Sequence, residues 1–149
     1  MRKLMTLLLV WVAATTLSAT QALQSDPASS LKFAVIGDAG TGRTPQYEVG
    51  ERLAAARETF PFEFVLMTGD NMYGSQTPKD FVVKFERPYA ALLKAGVPFF
   101  AALGNHDNQS NRFYEGFNMR GERYYTHVVR QVRFVILDTN LMDAPQLKW

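Results

Sequence analysis

The sequence predicts an α/β fold whose first part is a parallel βαβαβ unit, and two observations support this. Three short apolar segments, "LKFAVIGDAG", "FEFVLMTGDNMY" and "VPFFAALGNHD", each end at Gly-Asp or Gly-Asn. Segments that are apolar on both faces and bounded by glycine are typical of buried strands in a parallel sheet. The two stretches between them space their apolar residues as helices do. This alternation requires right-handed crossovers and helices packed on the sheet.

The first stretch between strands, residues 43–60, predicts a helix. Thr44 is a suitable N-cap, and Pro45 suits the first helical position because its missing N–H is not needed there. Four apolar residues recur at intervals of four, three and four, so we expect them to form one buried helix face. They are Val49, Leu53, Ala56 and Phe60.

The second stretch between strands, residues 76–96, also predicts a helix. Thr77 and Asp80 have the spacing of a capping box, and Pro78 follows in the first turn. Pro88 should kink or split the helix, because it lacks an N–H and clashes with the preceding turn. Gly96 is well placed to end it. The residues expected on one buried face are Phe81, Phe85, Tyr89 and Leu92.

Beyond the third strand, residues 108–121 predict a loop with a helical turn, and two further strands flank Arg130 and Gln131. Asp143 and Pro145 then predict the start of a helix that has only about one turn. A helix needs about a dozen residues to be even marginally stable alone. We therefore expect a truncated chain, with residues 31–149 as the N-terminal part of a larger domain.

The first residues predict an export signal. Arg2 and Lys3 precede an apolar run of about 14 residues and a small-residue end, which predicts a signal peptide over residues 1–22 cleaved after Ala22. The run is shorter than the roughly 20 residues that span a bilayer, which disfavours the alternative of a membrane anchor. Residues 23–30 predict a flexible lead-in. The expected location is secreted or periplasmic, without membrane association after cleavage.

Charge and cysteine content narrow the classes of function. Without the leader, the chain has 14 basic and 14 acidic residues, so no nucleic-acid partner is indicated. The sequence contains no cysteine, which excludes thiolate metal sites and disulfides. Any metal would therefore be bound through oxygen and nitrogen.

Polar side chains follow each of the three predicted parallel strands. Asp38, Asp70 and Asn105 stand at intervals of 32 and 35 residues, each just after a strand. Parallel sheets bind ligands outside the carboxyl ends of their strands, so these side chains should share one rim. Their oxygen atoms suit divalent or trivalent cations. A single Gly-Asp is by itself typical of a turn, but three such signals at strand ends favour a site.

The segments "GDAG", "GDNMY" and "GNHD" resemble the first three motifs of the calcineurin-like metallophosphoesterases. Within that superfamily they are most similar to the purple acid phosphatases, whose second motif is Gly-Asp-x-x-Tyr. The flanking "RPYAALLKAGVPFFAALGNHD" and "RFVILDTN" share the resemblance. It implies the N-terminal half of a metallophosphoesterase-type β-sandwich flanked by helices, acting on small-molecule phosphoesters.

The resemblance implies a role for each matched residue. Asp38 would bind the first metal, and Asp70 would bridge both metals. Tyr73 would bind the first metal as a phenolate, and Asn105 would bind the second through its amide oxygen. His106 would act as hydrogen-bond donor or general acid at the leaving group. The implied cofactor is a binuclear centre of Fe(III) with Fe(II), Zn(II) or Mn(II).

The chain departs from this family in its histidines. Members carry further histidine ligands, in a lone-histidine motif and a Gly-His-x-His motif, whereas this sequence contains two histidines in all. His127 lies in "YYTHVVR", fits neither motif and is expected on a sheet face. Asp107 either orients His106 or caps the following loop.

The leading hypothesis is an exported binuclear-metal phosphatase acting on phosphate monoesters, here without the later histidine ligands. A phosphodiesterase or nucleotidase of the same superfamily and a non-catalytic truncated remnant are alternatives. A Rossmann-type nucleotide binder is disfavoured because "GDAGTG" lacks the Gly-x-Gly-x-x-Gly spacing. The sequence leaves open the phosphoester, the metals and the oligomeric state.

Overall fold

A computed structural model describes residues 30–149 of the chain. The predicted signal peptide (1–22) and all but the last residue of the predicted lead-in (23–30) lie outside this part. Among residues 30–149, no helix combines the length and the apolar character that crossing a bilayer requires.

The three predicted strands form one parallel sheet, as the sequence indicates. They are β1 (Phe33–Ile36), β2 (Phe64–Met67) and β3 (Phe99–Ala101), in the spatial order β1-β2-β3. All three strands run in the same direction. Their carboxyl ends therefore meet at one rim, where the Gly-Asp and Gly-Asn segments follow.

The first crossover is helix α1 (Thr44–Thr59), but its buried face differs from the predicted one. Val49 and Phe60 are exposed, whereas Gln46 and Gly50 are buried. Gly50 lies against the carbonyl of Pro88 so closely that a Cβ would be 1.9 Å from its oxygen. Close backbone packing, which apolar spacing does not reveal, thus sets the helix orientation. The N-cap is Arg43, one residue before the predicted Thr44.

The second crossover agrees with its prediction. It comprises α2 (Pro78–Phe81), a π-helical turn (Val82–Glu86) and α3 (Ala90–Lys94). Thr77 and Asp80 form the expected capping box. The break around Pro88 is also the expected one. The four residues of the predicted face, Phe81, Phe85, Tyr89 and Leu92, are all buried.

The core lies between the sheet and the second crossover. Alternate strand residues face it, because side chains of a strand point to opposite sides in turn. Those from β2 and β3 are Val65, Met67, Phe99 and Ala101, and all are buried. Met72 and Leu103 are also buried in this core, and both belong to the loops that leave the sheet at its rim. The rim loops are thus anchored by apolar packing directly below the polar site.

The opposite face of the sheet is covered by an antiparallel hairpin of β4 (Tyr125–Val129) and β5 (Val132–Ile136). The chain turns between them at Arg130, as expected. The His127 ring stacks on Phe100 with ring centroids 3.7 Å apart. The predicted sheet-face position of His127 is therefore confirmed.

Short elements complete the described residues. Two 3₁₀ turns, Gln109–Phe113 and Glu115–Phe117, follow the third strand, in agreement with the predicted loop. Helix α4 (Ala144–Lys148) begins after Asp143, whose side chain accepts a hydrogen bond from the Gln146 N–H. The predicted N-cap is thus confirmed.

Candidate metal centre

Two of the rim aspartates adopt a backbone conformation that side-chain-bearing residues seldom use. Asp38 follows β1 with a φ of 54°, and Asp70 follows β2 with a φ of 52°. The two loops are joined by hydrogen bonds from Asp38 N to Gly69 O (3.2 Å) and from Gly40 N to Asp70 O (3.2 Å). Such left-handed residues are uncommon and cluster at functional sites, where surrounding contacts maintain them. The contacts here hold both carboxylates at the same rim.

Gly104 allows the third loop to approach Asp70 directly. A Cβ at this position would lie 2.1 Å from Asp70 N and 2.2 Å from Asp70 Oδ1. No residue other than glycine fits this distance without displacement of the carboxylate. The glycine before Asn105 is therefore required by close packing.

The Tyr73 hydroxyl lies between the two aspartates. It lies within hydrogen-bond distance of Asp38 Oδ1 (3.0 Å) and Asp70 Oδ2 (2.9 Å), and its single proton is donated to one carboxylate at a time. Partial burial, together with these hydrogen bonds and the negative charges of Asp70 and Asp38, raises the pKa of the Tyr73 phenol above its ordinary value. Three oxygen-bearing side chains from two loops therefore converge on one point.

Asn105 and His106 lie at the same rim. Asn105, Asp38 and Asp70 all line an open pocket of about 240 Å³. The backbone N–H of His106 donates to Asp70 Oδ1 (3.1 Å). Its ring centroid is 4.7 Å from that of Tyr73. All five site residues predicted from the sequence are thus brought to one rim, and the exposed imidazole lies at its surface.

The sequence interpretation missed two residues of the pocket, Thr139 and Asn140. Asn140 Nδ2 donates to Leu103 O (3.0 Å), which attaches the segment after β5 to the loop after β3. A signal was present in "RFVILDTN", where polar residues again follow an apolar strand. Because β5 belongs to the hairpin, its end lies at this rim only through tertiary packing.

The main contacts of Asp107 are neither with the His106 ring nor with the following loop, the two roles expected for it. Its carboxylate accepts backbone N–H groups of Asn71 (3.1 Å), Met72 (2.9 Å) and Gly104 (2.8 Å). Within residues 30–149, none of the hydrogen bonds of Asp107 reaches the His106 ring. Its side chain contacts the following loop only through a long hydrogen bond from Asn111 Nδ2 (3.4 Å). Burial raises the pKa of the Asp107 carboxyl, although the three N–H groups oppose this.

The rim carboxylates have no cationic partner in the described part of the chain. The ion pairs there involve Asp80, Asp138, Asp143 and Glu63, and none involves Asp38, Asp70 or Asp107. Residues 30–149 also hold no group of three or more His, Cys, Asp or Glu side chains arranged for a metal. The candidate donors are therefore two carboxylates, a phenol and an amide oxygen. This oxygen set fits a hard divalent or trivalent cation.

Comparisons with known proteins agree with this chemistry. A family model described as calcineurin-like phosphoesterase matches residues 31–143. Tartrate-resistant acid phosphatase type 5 of Rattus norvegicus is 27% identical over 95 residues, or 57% of this chain and 29% of that protein. Purple acid phosphatase 17 of Arabidopsis thaliana is 27% identical over 121 residues, or 77% of this chain and 33% of that protein.

A third relative is described as an inactive protein. "Probable inactive purple acid phosphatase 14" of Arabidopsis thaliana is 33% identical over 49 residues, which is 33% of this chain and 12% of that protein. The chain therefore matches at most about a third of the length of these three relatives.

Proposed function

The chain belongs to the calcineurin-like phosphoesterase family, and from this premise we propose that it is part of an exported, metal-dependent phosphatase acting on phosphate monoesters. The observation that carries the proposal is the Tyr73 hydroxyl between Asp38 and Asp70. Two carboxylates this close to one phenol, with no ion pair to a cationic side chain among residues 30–149, form a site whose charge is balanced best by a bound cation.

We assign the metal-binding groups as the family resemblance implies. Asp38 and Tyr73 would hold a first metal, Asp70 would be shared by both and Asn105 would hold a second, with Fe(III) beside Fe(II), Zn(II) or Mn(II) as the proposed pair. When bound, two such ions act as Lewis acids in an in-line displacement at phosphorus. Each such ion takes at least about four ligands, more than these side chains supply. Further ligands must therefore complete the centre, and the resemblance implies histidine nitrogens.

The remaining steps belong to side chains of this chain. Asn105 lines the pocket from a loop that is held by the hydrogen bond between Gly104 N and Asp107 Oδ2. His106 is exposed beside Tyr73, where an imidazolium would donate its proton to the leaving alkoxide. Phosphate monoester hydrolysis needs such a proton, because an unprotonated alkoxide is a poor leaving group.

Substitution of the bridging carboxylate tests the proposal. Asp70→Asn keeps the shape of the side chain and removes its charge. In the full chain supplied with iron, zinc or manganese, we expect Asp70→Asn to weaken metal binding by more than about 100-fold, above the range for residues that only support ligands. Metal content by elemental analysis and turnover of an aryl phosphate should fall together.

Asp143→Asn is the matched control, because Asp143 also accepts a backbone N–H but lies on the Arg123 side of the molecule. This variant should keep the metal. Retention of full metal content and turnover by Asp70→Asn would refute the bridging role.

Visible absorption tests the assignment of Tyr73. If its phenolate binds Fe(III), the iron-loaded protein has a ligand-to-metal charge-transfer band in the visible range. Tyr73→Phe removes the oxygen donor and should abolish this band while iron remains detectable by elemental analysis. An iron-containing wild type without the band would place the chain in another subgroup of the family.

A second candidate function is a metal-binding protein without turnover. It is favoured by the relative named as a probable inactive purple acid phosphatase, at 33% identity over 49 residues. Metal bound by the wild type and lost in Asp70→Asn, with no hydrolysis of monoesters or diesters by either, would support this candidate. Hydrolysis of diesters alone would instead support the phosphodiesterase alternative.

Export is the remaining part of the proposal, and it rests on the cationic, apolar and small-residue order of residues 1–22. Mass spectrometry of protein recovered outside the cytoplasm should find an N-terminus at Leu23. Recovery only of cytoplasmic protein that begins at Met1 would contradict it.

A further inference from the structure

We propose that Asp107 is a positioning residue that fixes the spacing between the loop after β2 (residues 68–73, the β2 loop) and the loop after β3 (residues 102–106, the β3 loop). These loops carry Asp70 and Asn105, so the inference rests on the metal-binding function proposed above. Asp107 itself is not assigned as a ligand.

A single carboxylate oxygen joins the two loops. Asp107 Oδ2 accepts the backbone N–H of Asn71 at 3.1 Å and that of Gly104 at 2.8 Å. The other oxygen, Oδ1, accepts the N–H of Met72 at 2.9 Å. Asn71 directly follows Asp70, and Gly104 directly precedes Asn105. The Asp107 carboxylate is therefore bonded one residue away from each proposed ligand.

Buried amides hold the Asp107 carboxylate in place. Asn71 is 2% exposed, and its Nδ2 donates both to Asp107 Oδ2 (2.8 Å) and to Ala102 O (2.7 Å). Asn111 is 1% exposed, and its Nδ2 contacts Asp107 Oδ1 (3.4 Å) and Gln76 Oε1 (2.8 Å). Asn71 thus forms a second link between the two loops, parallel to the one through Asp107.

The hydrogen bonds at this position suit a carboxylate. The five groups of residues 30–149 that face the Asp107 oxygens are all N–H donors, and a carboxylate offers an acceptor in both directions. An asparagine in its place would direct an NH₂ group toward N–H donors of at least one loop, whichever way the amide is turned. The two loops would then lose part of their common attachment while the apolar anchors below, Met72 and Leu103, remain.

The test compares Mn²⁺ binding by the full chain, measured calorimetrically, in the wild type, Asp107→Asn and Asp143→Asn. Loss of a group that orients ligands should weaken Mn²⁺ binding about 10- to 100-fold. Asp143→Asn also removes a hydrogen-bonded carboxylate but touches neither loop, so its Mn²⁺ affinity should equal that of the wild type. An Asp107→Asn variant that binds Mn²⁺ as tightly as the wild type would overturn the inference.

A second measurement keeps the inference separate from the proposed function. In the metal-free chain, Asp107→Asn should speed hydrogen exchange at the amides of Asn71, Met72 and Gly104 together, while amides of β1 and β2 keep their protection. Purely structural damage would instead speed exchange throughout the sheet, which would count against positioning. If the wild type binds no Mn²⁺, the proposed metal site fails, and exchange alone then decides the inference: unchanged exchange at the three amides refutes it.

Discussion

Two groups of aspartates in the described part of the chain have different kinds of partner. Asp138 and Asp143 share one arginine: Arg123 Nη1 is 3.2 Å from Asp138 Oδ2, and Nη2 is 2.5 Å from Asp143 Oδ2. The rim group of Asp38, Asp70 and Asp107 receives only neutral donors within residues 30–149, namely backbone N–H groups, amides and a phenol.

The difference separates carboxylates that are paired within the fold from those proposed to lie at a metal site. A buried carboxylate needs a charge partner because its removal from water is otherwise unfavourable. Asp138, which is fully buried, has that partner within its own chain. Asp38 and Asp70 have no such partner within residues 30–149, which agrees with the cation proposed to bind there, and Asp107 beside them accepts N–H groups. Charge pairing in the fold therefore distinguishes two sets of residues that look alike in the sequence.

The largest loss of stability should come from breaking the ion pair between Asp138 and Arg123. Asp138→Ala removes a fully buried acceptor and leaves donors from Gln109, Arg123 and Asn140 without it. Unpaired buried groups of this kind cost about 3 kcal/mol, so the free energy of unfolding should fall by that amount. Urea denaturation of the metal-free chain measures it. A loss below about 1 kcal/mol would show that the pair with Arg123 is not structural.

An intermediate effect should follow from crowding the rim. Gly104→Ala places a methyl group 2.2 Å from Asp70 Oδ1, so the carboxylate or its loop must move. Overpacking of this kind costs about 1–3 kcal/mol, and we expect weaker Mn²⁺ binding in addition. Gly74→Ala is the matched control: its Cβ meets nothing within 4 Å, and only its φ of +67° is unfavourable.

The control should lose stability but keep its Mn²⁺ affinity, because a Cβ at position 74 does not approach Asp70 within 4 Å. Equal Mn²⁺ affinities in Gly104→Ala and Gly74→Ala would mean that Gly104 has no role in placing the ligands.

The smallest effect on stability should be neutral or favourable, in contrast to the two losses above. Asp38→Asn removes one of the unpaired rim charges, while the amide oxygen still accepts from the Tyr73 hydroxyl. In the metal-free chain we expect stability to be unchanged or raised within about 0.5 kcal/mol, the usual range for exposed positions. Urea denaturation at neutral pH checks this. A clear loss of stability would make Asp38 a structural residue like Asp138.

Helix predictions from the sequence succeeded where apolar packing decides orientation and failed where backbone contact does. Phe81, Phe85, Tyr89 and Leu92 follow helical spacing and are buried as expected. Helix α1 instead turns Gly50 toward Pro88. It also buries Gln46, whose side chain accepts from Gly42 N and donates to Lys84 O. Apolar periodicity carries no information about such polar and close backbone contacts.

The sequence by itself determined the three strands, the polar residues at their carboxyl ends and the oxygen chemistry of the candidate centre. It could do so because strand periodicity, glycine turns and ligand types are local properties of neighbouring residues. Only the tertiary structure decided that Asp107 joins two loops, that Asn140 lies at the rim and that Arg123 neutralises Asp138. Those contacts connect residues up to 37 positions apart. They exist because parallel crossovers and the hairpin bring distant chain segments to one edge of the sheet.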